Sequence, residues 1–245
     1  MQNGNPVLKS LWAALEREPR VNPHRWPLQI GLTDDSVLIL EGEVGSIAAK
    51  KRTLELAAAT PSVRGVIDRM HVAPSEPRGD GAILDSLSAL FQDARDFKNC
   101  TLRVLRKGET HTLQEAGGDD ASGDLLISVK DGVVTLDGWV LSLTHKRMAG
   151  ALAWWTPGCR DVVNALEVQP PEQDNDDEVS DALALVLEMD PMIPHPGQIR
   201  VSTHNYVVTL EGLVGSEAEK DRAEQDAWGL FAVDKVINQL AVAAR

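Results

Sequence analysis

Along the chain, one pattern of apolar and polar positions occurs three times. Leu38, Leu40 and Val44 alternate with Val37, Ile39, Glu41 and Glu43, a period of two that predicts a strand with one buried face. The alternation returns as Val134, Leu136 and Val140, and again as Val208, Leu210 and Val214. Each apolar row contains a glycine, Gly42, Gly138 or Gly212. Such a glycine marks a bulge or the close approach of another backbone. Next comes Ser46, Ser142 or Ser216, a residue suited to cap a helix, and in the third copy Glu219 completes a capping box. The helix that follows has small residues four apart: Thr53 and Ala57, Ala149 and Ala153, Ala223 and Ala227. They share one face and predict close seating on the sheet near the glycine. A last strand closes each copy, with Asp68, Asn164 or Asn238 among apolar neighbours. A polar group in that setting reads as structural, tied into hydrogen bonds.

A shorter strand precedes each of these runs, as "LQIGL", "LLISV" and "QIRVS". The connecting "TDDS", "KDG" and "THN" are hairpin residues, so Asp131-Gly132 is the turn and Asp137-Gly138 lies inside a strand. An amphipathic helix comes first: Leu8, Leu11, Trp12, Leu15 in the first copy; Ile83, Leu87, Leu90, Phe91, Ala94 in the second; Val179, Leu183, Val186, Leu187 in the third. The expected fold class is α+β: three tandem α-β-β-α-β two-layer domains, each a small three-stranded mixed sheet packed against two helices. The linkers "APSEPRGDG" and "QPPEQDNDDE" place the domains at 1–74, 75–171 and 172–245. The second carries an insertion, 98–124, in which Leu102 and Val104 alternate like an extra strand and "AGGDDASG" has the composition of a mobile loop.

Apolar residues make up 43% of the 245, enough for packed cores. A net charge of -13 excludes a nucleic-acid binder, which needs a basic stripe, and opposes passive adhesion to anionic lipid. The N-terminal stretch has no signal-peptide pattern, and no window approaches the roughly 18–20 apolar residues of a membrane span. With two cysteines, Cys100 and Cys159, the chain is not a disulfide scaffold. These features predict a cytoplasmic protein without a transmembrane segment, peripheral membrane association staying open.

No catalytic set, metal site or cofactor motif emerges. The histidines do not repeat, and Cys159 aligns with Val63 and Val233 as a core residue. Lys50, Lys146 and Lys220 form the repeated base. They would meet an anion such as a lipid headgroup, or lay their stems over apolar surface. Glu41, Asp137 and Glu211 form a repeated acid on a solvated strand face. Trp139 points away from its own core, toward a partner, another unit or the inserted strand. Trp139, Lys50, Lys146 and Lys220 are the candidate interaction surface.

The run V-x-L-x-G-x-V, a lysine and small residues on a helix, then V-x-x-V-x-N-x-L-x-V resembles the BON domain, named for bacterial osmotic-shock and nodulation proteins. The copies read "VTLDGWV…THKRMAGALAW…CRDVVNALEV", "VTLEGLVGSEAEKDRAEQDAW…VDKVINQLAV" and "LILEGEVGSIAAKKRTLELAA…VRGVIDRMHV", the last with Asp68 in place of the asparagine. The resemblance covers nearly the whole chain. It implies a non-enzymatic module that attaches to a phospholipid or cell-envelope component, with a role in osmotic or envelope stress. The alternative is a cytoplasmic protein–protein interaction scaffold.

Overall fold

A computed structural model describes residues 5–118 and 120–243. The chain divides into two compact units, Met1–Ala73 and Pro74–Arg245.

In the first unit, α1 (Pro6–Leu15) is capped by Asn5 and buries Leu8, Leu11 and Leu15. A hairpin of β1 (Leu28–Leu32) and β2 (Val37–Val44) leads into α2 (Ile47–Ala58), and β3 (Gly65–Val72) closes the unit. The sheet order is β1-β2-β3, with β1 antiparallel and β3 parallel to β2. Leu38, Leu40, Val44 and Met70 meet α1 and α2 in one core. The α+β class and the α-β-β-α-β order are those read from the pattern.

The second unit contains that arrangement twice. Its first part has α3 (Asp80–Asp93), β4 (Cys100–Arg106), β5 (Glu109–Gln114), β6 (Gly123–Lys130), β7 (Val133–Val140), α4 (Leu143–Trp155), β8 (Asp161–Asn164) and β9 (Glu167–Val168). The insertion supplies not one strand but two. Its β4 pairs in parallel with β6, and β5 turns back along β4, which widens the sheet to β5-β4-β6-β7-β8 with β9 also on β7. The "AGGDDASG" segment is a loop whose position 119 lies outside the described residues; Asn99 holds it by accepting from Gly117 N at 3.0 Å and donating to the Asp120 carbonyl at 2.5 Å. The remaining elements are α5 (Asp176–Met189), β10 (Ile199–His204), β11 (Val207–Val214), α6 (Glu217–Gly229) and β12 (Lys235–Val242), in a sheet of order β10-β11-β12.

Within this unit α4 packs on α5 and α6, so the helices of the two parts meet and the sheets turn their other faces outward. That explains why α4 is buried nearly all round, from Arg147 to Ala153, whereas α2 buries one stripe.

The local signals act as expected at several points. Ser46, Ser142 and Ser216 each accept from the backbone N–H three residues on, at 3.1–3.2 Å. Glu219 folds back to accept from Gly215 N at 2.8 Å, closing the capping box one residue earlier than the usual form. Thr53, Ala57, Ala149, Ala153, Ala223 and Ala227 are all fully buried. The Asp131-Gly132 turn has positive φ at both residues, and the first-turn Asp80 of α3 accepts their two N–H groups at 3.0 and 2.9 Å. Asp176 does the same for Asn205 and Tyr206 at 2.8 and 2.9 Å. Those two backbone donors, Tyr206 foremost, hold the Asp176 carboxyl below its ordinary range.

The strand glycines differ in one respect from the expectation. Their φ values are +132°, +110° and +128°, and Gly138 and Gly212 are exposed. What comes close is the neighbouring strand, not the helix. A Cβ would stand 2.9 Å from the Pro27 carbonyl oxygen at Gly42, and 2.0 Å from those of Asp124 and Gln198 at Gly138 and Gly212. The glycine lets the hairpin partner cross close to the main strand.

Candidate functional site

Each last strand places its repeated polar residue eighteen positions after the repeated lysine, and the structure joins the two. Asn164 donates from Nδ2 to the Lys146 carbonyl at 2.7 Å, and Asn238 to the Lys220 carbonyl at 3.1 Å. In the first copy Asp68 cannot donate. Its carboxylate instead lies 3.2 Å from the Lys50 ammonium. The lysine and the polar residue are therefore one device that pins the helix to the sheet, in an amide form twice and an ionic form once. Asp68 and Asn238 also accept from the N–H two residues on, at 2.9 and 3.2 Å. In the middle copy the strand breaks after Asn164, and its Oδ1 is buried without a partner. Replacing Asn238 by alanine removes bonds to the Lys220 carbonyl, the Glu224 carboxylate and Leu240 N. The expected loss is about 1–3 kcal/mol in urea unfolding.

The lysines thus differ in exposure. Lys50 is buried, with 7% of its surface accessible, and its ammonium is held by Asp68 rather than offered to solvent. Lys146 and Lys220 are half-buried, and the Lys146 ammonium lies 5.4 Å from the centre of the Phe231 ring.

Trp139 is half-buried on the outward face of β7, between Asp124 on β6 and Glu167 on β9. The inserted β4 is not its neighbour, because β6 lies between, but Arg103 of β4 reaches Asp124 at 2.6 Å beside it. On the same outward face Leu126 and Val133 are half-buried and Leu105 and Val163 exposed, set among polar residues that include Arg103, Lys130, Thr135 and Asp137. The same outward positions recur in all copies. Val37, Val133 and Val207 match along the main strand, and Ile67, Val163 and Ile237 along the last. Ile67 is 42% and Val163 48% accessible.

A second cluster lies at the seam where α4 meets α5 and α6. Arg147 is buried, and its Nη2 donates to both Asp174 carboxylate oxygens at 2.6 and 2.7 Å. Its guanidinium carbon sits 4.3 Å from the centre of the Phe231 ring, and Nε and Nη1 are buried without partners. Further along, Trp155 Nε1 donates to Asp226 Oδ1 at 2.8 Å. Arg222 bonds to Asp190, and both aspartates are buried. Repeat reasoning passed over these residues because they do not repeat: Arg147 aligns with Lys51 and Asp221. A signal was present at Asp226, an acid where the other copies have Leu56 and Leu152.

Among the described residues the histidines and cysteines do not assemble into a catalytic group. His145 Nδ1 meets its own helix cap, Ser142 Oγ, at 2.7 Å. Cys100 is buried, and burial pushes its thiol up to about 11, far from the thiolate a nucleophile needs. Among the described residues no cluster of His, Cys, Asp and Glu could hold a metal ion, and no helix is long and apolar enough to cross a membrane.

Among solved structures, the chain is similar to the C-terminal domain of CdsD, the structural protein of the type III secretion system of Chlamydia trachomatis, at 16% identity and a TM-score of 0.24, covering 98% of both chains. A second structure of CdsD matches at 16% identity and a TM-score of 0.23, covering 98% of this chain and 94% of that one. No curated protein matches the sequence. The family profile of the BON domain matches residues 31–74, 111–170 and 175–244, more than half of the chain. With the glycine-bearing strand, the tie from the repeated lysine to an asparagine or aspartate and the α-β-β-α-β order all present three times over, the chain belongs to the BON domain family.

Proposed function

We propose that this chain is a non-enzymatic binding protein of three BON modules, divided at 74/75 and 171/172, that engages a phospholipid or cell-envelope component and serves in osmotic or envelope stress. One observation carries this reading. The outward sheet face keeps an aliphatic pair at the same repeat positions in every copy, where the fold's own core makes no demand for it. Recurrent apolar surface on a face turned away from the helices suits an apolar contact. Trp139, with an apolar ring and a polar N–H, suits the boundary between hydrocarbon and headgroup. Lys146 and Lys220 are the repeated cations with part of their surface free for a headgroup; Lys50 is engaged by Asp68.

The charge of -13 makes this an apolar rather than an electrostatic attachment. Co-sedimentation with phosphatidylcholine vesicles and with vesicles containing phosphatidylglycerol, each at low and physiological salt, is the test. The expected result is binding to the zwitterionic vesicles at least as strong as to the anionic ones, little changed by salt, and weakened by Val163→Asp. Absence of binding to both kinds of vesicle overturns the reading.

One observation favours the alternative, a protein–protein scaffold. The strand β5 ends the widest sheet, and Glu109 to Leu113 are exposed along it. An open edge can accept a strand from another protein. In that case vesicles stay clear, and a pull-down recovers a reproducible protein partner that is lost on Trp139→Ala.

A further inference from the structure

We propose that the groove between α1 and the free edge of β1 docks an extended segment of a partner protein. The segment joins the sheet parallel to β1, sets apolar side chains at alternate positions against α1, and ends in an acid that faces Lys9. The proposal does not depend on what the outward sheet faces bind.

The chain itself fills the matching place in the middle module. Leu28, Leu125 and Ile199 are equivalent, since each is in register with the strand glycine of its copy. So β1, β6 and β10 are the same strand, and β1 and β10 end their sheets whereas β6 carries β4 in parallel. Leu102 and Val104 of β4 stand in register with Leu125 and Ile127, and all four are fully buried. The same β4 packs on α3, where Arg106 bonds to Asp85. The helices carry the imprint of this strand. Asp80 and Asp176 bind their hairpin turns alike, which aligns Leu84 and Ser88 of α3 with Ser180 and Ala184 of α5. Leu8 precedes Leu28 by as many residues as Val179 precedes Ile199, so the counterparts in α1 are Lys9 and Ala13. Leu84 and Ser88 are buried; Lys9 and Ala184 are exposed, and Ala13 and Ser180 half-buried. The inserted strand covers a side of the helix that the other two modules leave more open.

In the first module that side forms a hollow, lined by Leu8, Lys9, Trp12, Ala13 and Glu16. Trp12 stands where α3 has Leu87 and α5 has Leu183, both fully buried, yet its indole is only half-covered. In the third module Ser180 instead donates to Thr203 Oγ1 at 2.8 Å, which ties helix to strand at the same place. Leu28 and Ile30 are the core-facing residues of β1. A strand in the register of β4 sets its apolar residues opposite them, against Leu8 and Trp12, and its backbone bonds to the outer N–H and C=O groups of the edge. Polarity follows from the helix. The bonds of Asp80 and Asp176 place the first turn of the helix at the hairpin end of the sheet. Lys9, in the first turn of α1, therefore lies toward the end of β1, and Glu16 toward its start. A strand parallel to β1 starts by Glu16 and finishes by Lys9. Charge complementarity then asks for an acid at its last position, the reverse of β4, which ends in Arg106 against Asp85.

Fluorescence anisotropy and amide exchange on the full chain test this. The probe is the labelled peptide STLRVLE, which keeps the alternation of β4 and ends in an acid. It is expected to bind and to slow exchange in Leu28–Leu32. The same peptide with two prolines in place of its valine and the next leucine loses an N–H in either pairing phase and is expected to do neither. Ala13→Glu puts a carboxylate into the groove at a helical position that glutamate tolerates, and is expected to weaken binding at least tenfold. Lys9→Glu is expected to weaken STLRVLE about threefold and to strengthen STLRVLK by a similar factor. Lys9 is exposed, so this pair of measurements decides even where Ala13→Glu fails to fold. The proposal is overturned if STLRVLE does not bind, if the proline peptide binds equally, or if Lys9→Glu leaves both affinities unchanged. Protection at Glu109–Gln114 or Ile199–His204 in place of Leu28–Leu32 overturns it as well. So does slowed exchange in Leu28–Leu32 with phosphatidylcholine vesicles but not with peptide, which would assign the groove to lipid.

Discussion

Replacing Arg147 by alanine is expected to lower the stability of the Pro74–Arg245 unit by about 3–5 kcal/mol, the range seen when one partner of a buried ion pair is removed. Two losses combine. The guanidinium leaves a hole under the Phe231 ring, and Asp174 keeps its charge without its bidentate partner. The Asp174 side chain is 24% accessible, so water recovers part of the second loss and the hole dominates. Arg147→Met separates the two. Methionine fills a similar volume, adapts its shape to the ring, and deletes the two buried donors that have no partner. It is expected to fall within about 1 kcal/mol of the wild type. Urea unfolding of the three proteins, followed by circular dichroism, measures both differences. A loss below about 1 kcal/mol for the alanine variant would mean that the seam does not depend on this arginine.

The second large effect is expected at Gly138. Its φ of +110° is unfavourable for any residue with a Cβ, and that Cβ would stand 2.0 Å from the Asp124 carbonyl oxygen. Strain of about 1–3 kcal/mol adds to a backbone clash that no side-chain movement relieves. Gly138→Ala is therefore expected to lose at least 3 kcal/mol, roughly the sum of those effects, by separation of β6 from β7 or by loss of the fold. Gly81→Ala in the first turn of α3 is the control, since nothing lies within 4 Å of its Cβ position and alanine favours helix. Its Tm is expected to equal or exceed that of the wild type. A Gly138→Ala protein with an unchanged Tm would show that the hairpin crosses less closely than the glycine spacing implies.

These two sites also show what can be read in the sequence and what cannot. Gly138 was legible because it repeats. A position kept glycine in three copies of one strand points to a backbone requirement, and comparison within the chain makes it visible. The caps at Ser46, Ser142 and Ser216 were legible for the same reason, as was the α+β class. Arg147, Asp174 and Asp226 were not. They act between copies, and a contact between copies has no reason to recur in each. Its only trace was a polar residue at a position apolar elsewhere, such as Asp226 opposite Leu56 and Leu152. The tie between Lys50 and Asp68 was half legible. The substitution of Asp for Asn was plain, but its reason needed the geometry: an acid cannot donate to a carbonyl and instead recruits the lysine ammonium. The second inserted strand, Glu109–Gln114, lies exposed at a sheet edge and so carries little of the apolar alternation by which strands are found.

The two ends of the insertion stand side by side. Cys100 is in register with Gly123, and Ser122 N donates to the Asn99 carbonyl at 2.8 Å. A segment whose entrance and exit coincide can be gained or lost in a lineage without moving what flanks it. The middle module is thus a natural graft point, at which foreign sequence could be exchanged for the hairpin while β6 reverts to the bare edge that β1 and β10 already are.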